Sequence, residues 1–189
     1  MSPSAPCGEC LSRPLGLAQC VAAVDYAYPW DGPIARFKFH GDTAWAHLFA
    51  RLMVDAPGAT EMLTRCHSFV PMPLTPRRLG ERGYNQAGLL AKALSRHASE
   101  HRHKPQFDGL VKLQDTPAQH ALDRPARLLN LRTAFAVPPQ ALAGLSGKRV
   151  LLIDDIMTTG ATLQAAAQAL TMAGAAEVNA LVFARTPRA

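Results

Sequence analysis

The segment that constrains the fold most is a run of four apolar residues, Val150 to Ile153, followed by acidic and then hydroxyl residues. The run predicts a strand that is buried on both faces, as in a parallel sheet. Ala161 to Ala173 is rich in alanine and predicts a helix, and Val178 to Phe183 predicts the next strand. Strand, helix and strand in this order form a parallel crossover. We therefore expect an α/β fold with an open, mostly parallel sheet flanked by helices.

Apolar periodicity predicts the elements that come before this segment. The predicted strands are Val21 to Tyr28, His67 to Met72 and Gly109 to Leu113. The predicted helices are Thr43 to Val54 and Asn85 to His97, and Trp30 to Phe39 is expected to be a turn that enters a short helix. Prolines end the second of these strands, so we expect a basic loop after it. The stretch from Gln114 to Thr133 is polar and interrupted by prolines, and we expect an extended loop there.

The first 20 residues have no periodic apolar pattern, and we interpret them as an irregular N-terminal segment before a single domain at residues 21–189. They contain Cys7 and Cys10, a C-x-x-C pair with the spacing of zinc ligands. A closed zinc site needs four ligands, so this pair alone leaves zinc binding open. Cys20 and Cys66 are expected to be small, buried side chains.

The chain is basic, with 20 lysines and arginines against 14 acidic residues and a net charge of +6. Arginines cluster in two places, at Arg77, Arg78 and Arg82 and at Arg124, Arg127 and Arg132. Scattered charge usually forms a solvated surface, but such clusters attract phosphate. The charge alone is compatible with a nucleic acid, a nucleotide or phosphoribosyl pyrophosphate (PRPP) as ligand. No apolar stretch is long enough to cross a bilayer, and we expect a cytoplasmic protein.

Asp154 and Asp155 stand at the carboxyl end of the predicted strand, where parallel sheets bind their ligands. Gly160 allows close approach of the backbone, and the helix start after it favours a phosphate. Paired carboxylates suit sugar hydroxyls or a hydrated Mg²⁺, whereas a helix cap would need only one. The chain has neither G-x-x-x-x-G-K-[ST] nor G-x-G-x-x-G, which argues against an ATPase or a dehydrogenase.

The segment from Val150 to Thr162 resembles, without a gap, the PRPP signature of type I phosphoribosyltransferases. The resemblance implies a fold of that type. It also implies that the catalytic residues Asp154 and Asp155 hold the ribose hydroxyls and that Mg²⁺ enters with the pyrophosphate. The implied 5′-phosphate ligands are Thr158, Thr159, Gly160, Ala161 and Thr162.

Further stretches are similar to the ComF competence-protein family. They are Val70 to Pro73, Arg77 to Gln86, Tyr28 to Asp42, and the residues Gln119, Leu122, Arg127, Asn130 and Phe135. By position, this resemblance assigns Arg77, Arg78 and Arg82 to the pyrophosphate and Gln119, Arg124 and Arg127 to a hood loop. ComF-like proteins usually have a four-cysteine zinc site, of which Cys7 and Cys10 are one half. Residues 1–20 are therefore either an irregular tail or the remnant of a zinc module.

The resemblance implies a protein that binds PRPP with Mg²⁺ and acts in natural transformation, on imported single-stranded DNA and with the competence machinery. One alternative is a non-catalytic module that binds PRPP and DNA. Another is a nucleobase salvage transferase, which would not explain the Arg82 to Gln86 stretch. Single-strand binders mix aromatic with basic residues, but we expect Phe37 and Phe39 in the core.

Overall fold

The structure is a computed structural model that describes residues 16–97, 105–113 and 134–187. Its strands are β1 (Gln19–Asp25), β2 (Ser68–Pro71), β3 (Val111–Lys112), β4 (Phe135–Ala136), β5 (Arg149–Met157) and β6 (Glu177–Arg185). Its α-helices are α1 (Asp31–Phe39), α2 (Trp45–Asp55), α3 (Ala59–Arg65), α4 (Pro76–Arg82), α5 (Gln86–His97), α6 (Leu142–Leu145) and α7 (Ala161–Met172).

The main sheet has four strands in the order β1-β6-β5-β2, and every neighbouring pair is parallel. The strand–helix–strand unit predicted at the end of the chain is β5, α7 and β6. The predicted α/β fold with an open parallel sheet is therefore confirmed. The strand expected over Gly109 to Leu113 is only the two residues of β3, which pair with β4 in a separate antiparallel sheet.

Helices cover both faces of the main sheet. Successive residues of β5 point to opposite faces, so they show which helices pack on each side. Leu151 and Ile153 pack in a cluster with the buried side chains of α1, α2, α3 and α5. Val150 and Leu152 pack in the other cluster, with α6, α7 and β4. Both faces are thus apolar, as the unbroken apolar run predicted.

The basic segment after β2 is a helix, α4. The prediction of a loop in this segment is therefore wrong. Thr75 caps the helix, since its Oγ1 accepts a hydrogen bond from the Arg78 amide at 3.4 Å, and Pro76 occupies the first turn. Gly83 ends the helix in a left-handed conformation with φ 80°, which glycine adopts at no steric cost. Because α4 buries none of its residues, it has no apolar stripe from which a helix could be predicted.

The two cysteines of the described residues differ in burial. Cys66 is buried, as expected, and burial raises the pKa of its thiol to about 12. Cys20 is only partly buried, since it lies on edge strand β1, with its Sγ 3.7 Å from Met157 Sδ. The prediction that Cys20 is a buried side chain is therefore confirmed only in part.

Candidate functional site

Strand β5 is longer than its neighbour β2, and this difference creates the site. The pairing of β2 with β5 ends at Pro71 and Ile153, whereas β5 continues beside β6 as far as Met157. Asp154 and Asp155 therefore lie within the strand, not after it, where β2 no longer covers them. A cavity of about 430 Å³ occupies this space, and both carboxylates line it.

Asp155 is a buried carboxylate that is paired with a lysine from α1. Its Oδ2 lies 3.1 Å from Nζ of Lys38, and the two side chains are 11% and 23% exposed. Within the described ranges, this Oδ2 has no hydrogen-bond partner beyond that ion pair. No role for Lys38 could be predicted from the sequence, because the contact joins distant parts of the chain.

Asp154 differs from Asp155 in its electrostatic environment. Burial, and after it the negative charge of Asp155, raise the pKa of Asp154 well above its ordinary value. The backbone amide of Asp155, which donates to Asp154 Oδ1 at 2.9 Å, and the charge of Lys38 act in the opposite direction. The pair thus combines a carboxylate balanced by a lysine with one whose ionised form is disfavoured by burial and by the neighbouring charge.

The N-terminus of α7 lies beside these carboxylates. Gly160 precedes the helix with φ 79°, and Thr162 in the first turn lines the cavity. Thr158 and Thr159 are exposed in the turn, and the Ala161 amide donates to Thr159 Oγ1 at 3.4 Å. A helix N-terminus with exposed hydroxyls is suited to a phosphate group.

Helix α4 brings two of its three arginines to the same cavity. Arg78 and Arg82 are four residues apart, hence on one helix face, and both line it. Arg77 is not among the lining residues, and its Nε lies 2.9 Å from Glu81 Oε1 on the exposed side of α4. The geometry therefore separates Arg77 from the other two arginines.

The N-terminus of α5 adds two amides that the sequence analysis had not assigned. Asn85 and Gln86 line the cavity. Gln86 is 2% exposed, and its Nε2 is buried without a hydrogen-bond partner in the part of the chain that the structure describes. A buried amide without a partner is costly, and a ligand that accepted a hydrogen bond from Nε2 would remove this cost.

Phe39 lies at the rim of the cavity and not in the core. Its side chain is 69% exposed, and the guanidinium carbon of Arg82 lies 5.4 Å from its ring centroid. The expectation of a core residue is wrong for Phe39 and confirmed for Phe37, which is fully buried. Phe39 also lines an adjoining cavity of about 260 Å³, together with Gly41, Glu81 and Tyr84.

The carboxylates of Asp154 and Asp155 are the candidate metal ligands of the cavity. They suit a hydrated ion carried by phosphate oxygens. Residues 16–97, 105–113 and 134–187 contain no group of three or more histidine, cysteine or acidic residues placed for a metal. Cys7 and Cys10, and the hood residues Gln119, Arg124 and Arg127, lie outside the described residues.

Comparison with known proteins places the chain in a family. Residues 89–189 match the model of the phosphoribosyl transferase domain. The chain is 33% identical to the DNA utilization protein YhgH of Escherichia coli strain K12, over 96% of this chain and 78% of that protein. It is 32% identical to competence protein F of Haemophilus influenzae, over 95% and 78% of the two chains. The chain belongs to the ComF competence-protein family.

Two further similarities cover less of this chain. Competence protein ComFC of Bacillus subtilis is 33% identical over 81% of this chain and 58% of that protein. A solved structure titled as the allosteric regulatory enzyme of purine biosynthesis is 17% identical, covers 74% of this chain and 25% of that one, and has a TM-score of 0.44. The type I phosphoribosyltransferase-like fold rests on the family match and the parallel sheet. Among the described residues, no helix combines the length and apolar composition needed to cross a membrane.

Proposed function

We propose that this ComF-family chain binds PRPP with Mg²⁺ in the 430 Å³ cavity. The observation that carries the proposal is the arrangement of charge around that one space: Asp154 and Asp155 on β5, the N-terminus of α7, and Arg78 and Arg82 on α4. In this pose the ribose hydroxyls bind the carboxylates, the 5′-phosphate binds the turn from Thr158 to Thr162, and the pyrophosphate lies toward α4.

The same arrangement is suited to transfer of the phosphoribosyl group. The bond from C1 of the ribose to the pyrophosphate oxygen breaks, a nucleophile forms a new bond to C1, and pyrophosphate leaves with the bonding electrons. Arg78 and Arg82 would stabilise the leaving group, and the carboxylates would stabilise the positive charge that develops on the sugar. A Mg²⁺ ion bound with the pyrophosphate would supply further positive charge beside the leaving group. The biological setting that we propose is the handling of single-stranded DNA during natural transformation, since the named relatives are competence and DNA utilization proteins.

Calorimetric titration of PRPP with and without Mg²⁺ tests the binding proposal. We expect binding that depends on Mg²⁺ and that is lost in Asp154→Ala/Asp155→Ala and weakened at least tenfold in Thr159→Ala. Asp31→Ala removes an exposed carboxylate from α1 and serves as the control, with unchanged affinity. A wild-type protein that binds no PRPP would refute the proposal.

A second candidate function is direct binding of single-stranded DNA, which the position of Phe39 favours. An exposed aromatic ring beside Arg82 and Lys38 supplies both stacking and positive charge, the combination that single-strand binders use. The test is fluorescence anisotropy of a labelled oligothymidylate with Phe39→Ala, and with Phe107→Ala as an exposed aromatic control that lines neither cavity. Equal affinity of both variants and the wild type would remove Phe39 from this role.

A further inference from the structure

Lys38 is held in the site by the packing of the residue before it. Phe37 is fully buried, and its ring packs against Phe49 at a centroid distance of 5.4 Å. The backbone carbonyl of Phe37 accepts a hydrogen bond from the hydroxyl of Tyr84, in the corner between α4 and α5. These contacts fix the last turn of α1 and thereby direct the side chain of Lys38 into the cavity.

Lys38 lines a cavity that contains both negative and positive side chains. Its Nζ is 3.1 Å from Asp155 Oδ2, and it lines both cavities together with Arg78 and Arg82. Lys38 therefore adds its charge to the walls that Arg78 and Arg82 also line. The three cations together form a surface suited to a group with more than one negative charge.

We propose that Lys38 is a further ligand-binding residue, whose ammonium group contacts the pyrophosphate of PRPP while it keeps Asp155 oriented toward the ribose. This inference rests on the proposed function. It has a second consequence, because the ammonium group occupies the carboxylate that a free Mg²⁺ ion would use. Lys38 therefore weakens metal binding in the absence of PRPP and strengthens binding of the metal–PRPP complex.

Lys38 is thus expected to lower the affinity for Mg²⁺ alone and to raise the affinity for PRPP with Mg²⁺, and these opposite effects provide the test. Calorimetry on the full chain would measure four titrants: Mg²⁺ alone, inorganic pyrophosphate with Mg²⁺, ribose 5-phosphate, and PRPP with Mg²⁺. In Lys38→Met we expect the affinity for PRPP and for pyrophosphate to fall at least tenfold, the affinity for ribose 5-phosphate to fall less, and the affinity for Mg²⁺ alone to rise. Lys38→Arg keeps the charge and should restore part of the pyrophosphate affinity.

Arg36→Met is the matched control, because Arg36 is on the same helix but is exposed and pairs with Asp42 at 3.4 Å outside the cavity. Circular dichroism would establish that each variant is folded. If Lys38→Met does not fold, Lys38→Gln would be measured in its place. Unchanged affinity of Lys38→Met for pyrophosphate would overturn the inference. A loss of affinity for Mg²⁺ alone together with the loss for PRPP would also overturn it, because a purely structural lysine would have that effect. If the wild type binds no PRPP, the proposed function fails as well.

Discussion

The side chain of Asn85 joins the two ends of the segment that carries the arginines of α4. Its Nδ2 donates to the carbonyl oxygen of Met72 at 3.0 Å, just after β2, and its Oδ1 accepts from the amide of Gly88 at 3.1 Å, in the first turn of α5. The amide of Asn85 thus connects both ends of the segment that leaves the sheet after β2 and contains α4, and it also caps α5. The position of Arg78 and Arg82 relative to β5 depends on this closure.

We expect Asn85→Ala to lower both stability and ligand affinity. Loss of the cap and of the bond to Met72 should reduce the free energy of unfolding by about 2 kcal/mol, measured by urea denaturation. The affinity for pyrophosphate with Mg²⁺ should also fall, since α4 is no longer tied to the site. Ser95→Ala, which removes a local hydrogen bond of α5 to Lys92, is the control and should leave the affinity unchanged. Wild-type stability in Asn85→Ala would contradict the closing role.

Two glycines of the α4 region should respond in opposite ways to replacement by alanine. Gly80 is inside the helix, and an added Cβ would meet nothing within 4 Å, so Gly80→Ala should stabilise by about 0.5 to 1 kcal/mol. Gly83 ends the helix at φ 80°, so Gly83→Ala should destabilise by about 1 to 2 kcal/mol. Thermal unfolding of the two variants would measure both values. The same sign in both would show that α4 does not form as described.

The sequence predicted the parts of the site whose signals are local. The apolar run of β5, the acidic pair and the glycine before α7 are contiguous, so one segment indicates both the strand and the phosphate-binding turn. Helix α4 was missed because it has no buried face, and its ends are set by Thr75 and Gly83. These capping residues were the available signal.

The residues that complete the site come from distant parts of the chain, and no local pattern indicates them. Lys38 meets Asp155 only because α1 packs beside β5, and Gln86 faces the cavity because α5 starts there. The exposure of Phe39 could have been predicted in part from its position relative to Phe37. Residues two positions apart on a helix point about 200° apart, so a buried Phe37 predicts an outward Phe39.

The raised pKa of Asp154 predicts how stability depends on pH. The folded protein keeps the Asp154 proton to higher pH than the unfolded chain does, because burial and Asp155 disfavour ionisation. The stability that this proton contributes is complete below the unfolded pKa and is lost as the pH rises through the folded one. Asp154→Asn should therefore gain stability relative to the wild type as the pH rises through this range.

Urea denaturation of both proteins at a series of pH values would measure this difference. Asp31→Asn, which removes an exposed carboxylate from α1, controls for the change in net charge. A difference between wild type and Asp154→Asn that stays constant with pH would show that the ionisation of Asp154 costs the fold nothing.

The unpaired amide of Gln86 yields a prediction in which stability and binding change in opposite directions. Replacement by leucine removes a buried Nε2 that has no partner among the described residues, so the free energy of unfolding should stay constant or rise by up to about 2 kcal/mol. The affinity for PRPP with Mg²⁺ should fall, because the amide can no longer donate to the ligand.

Gln106→Leu is the matched control for this prediction. Gln106 Nε2 donates to the carbonyl oxygen of Gly144 at 3.3 Å, and Gln106 does not line the cavity. Its replacement should cost about 1 kcal/mol of stability and leave PRPP affinity unchanged. If Gln86→Leu instead lowers stability and binds PRPP as the wild type does, Gln86 is a structural residue, and the ligand is held by the charged groups alone.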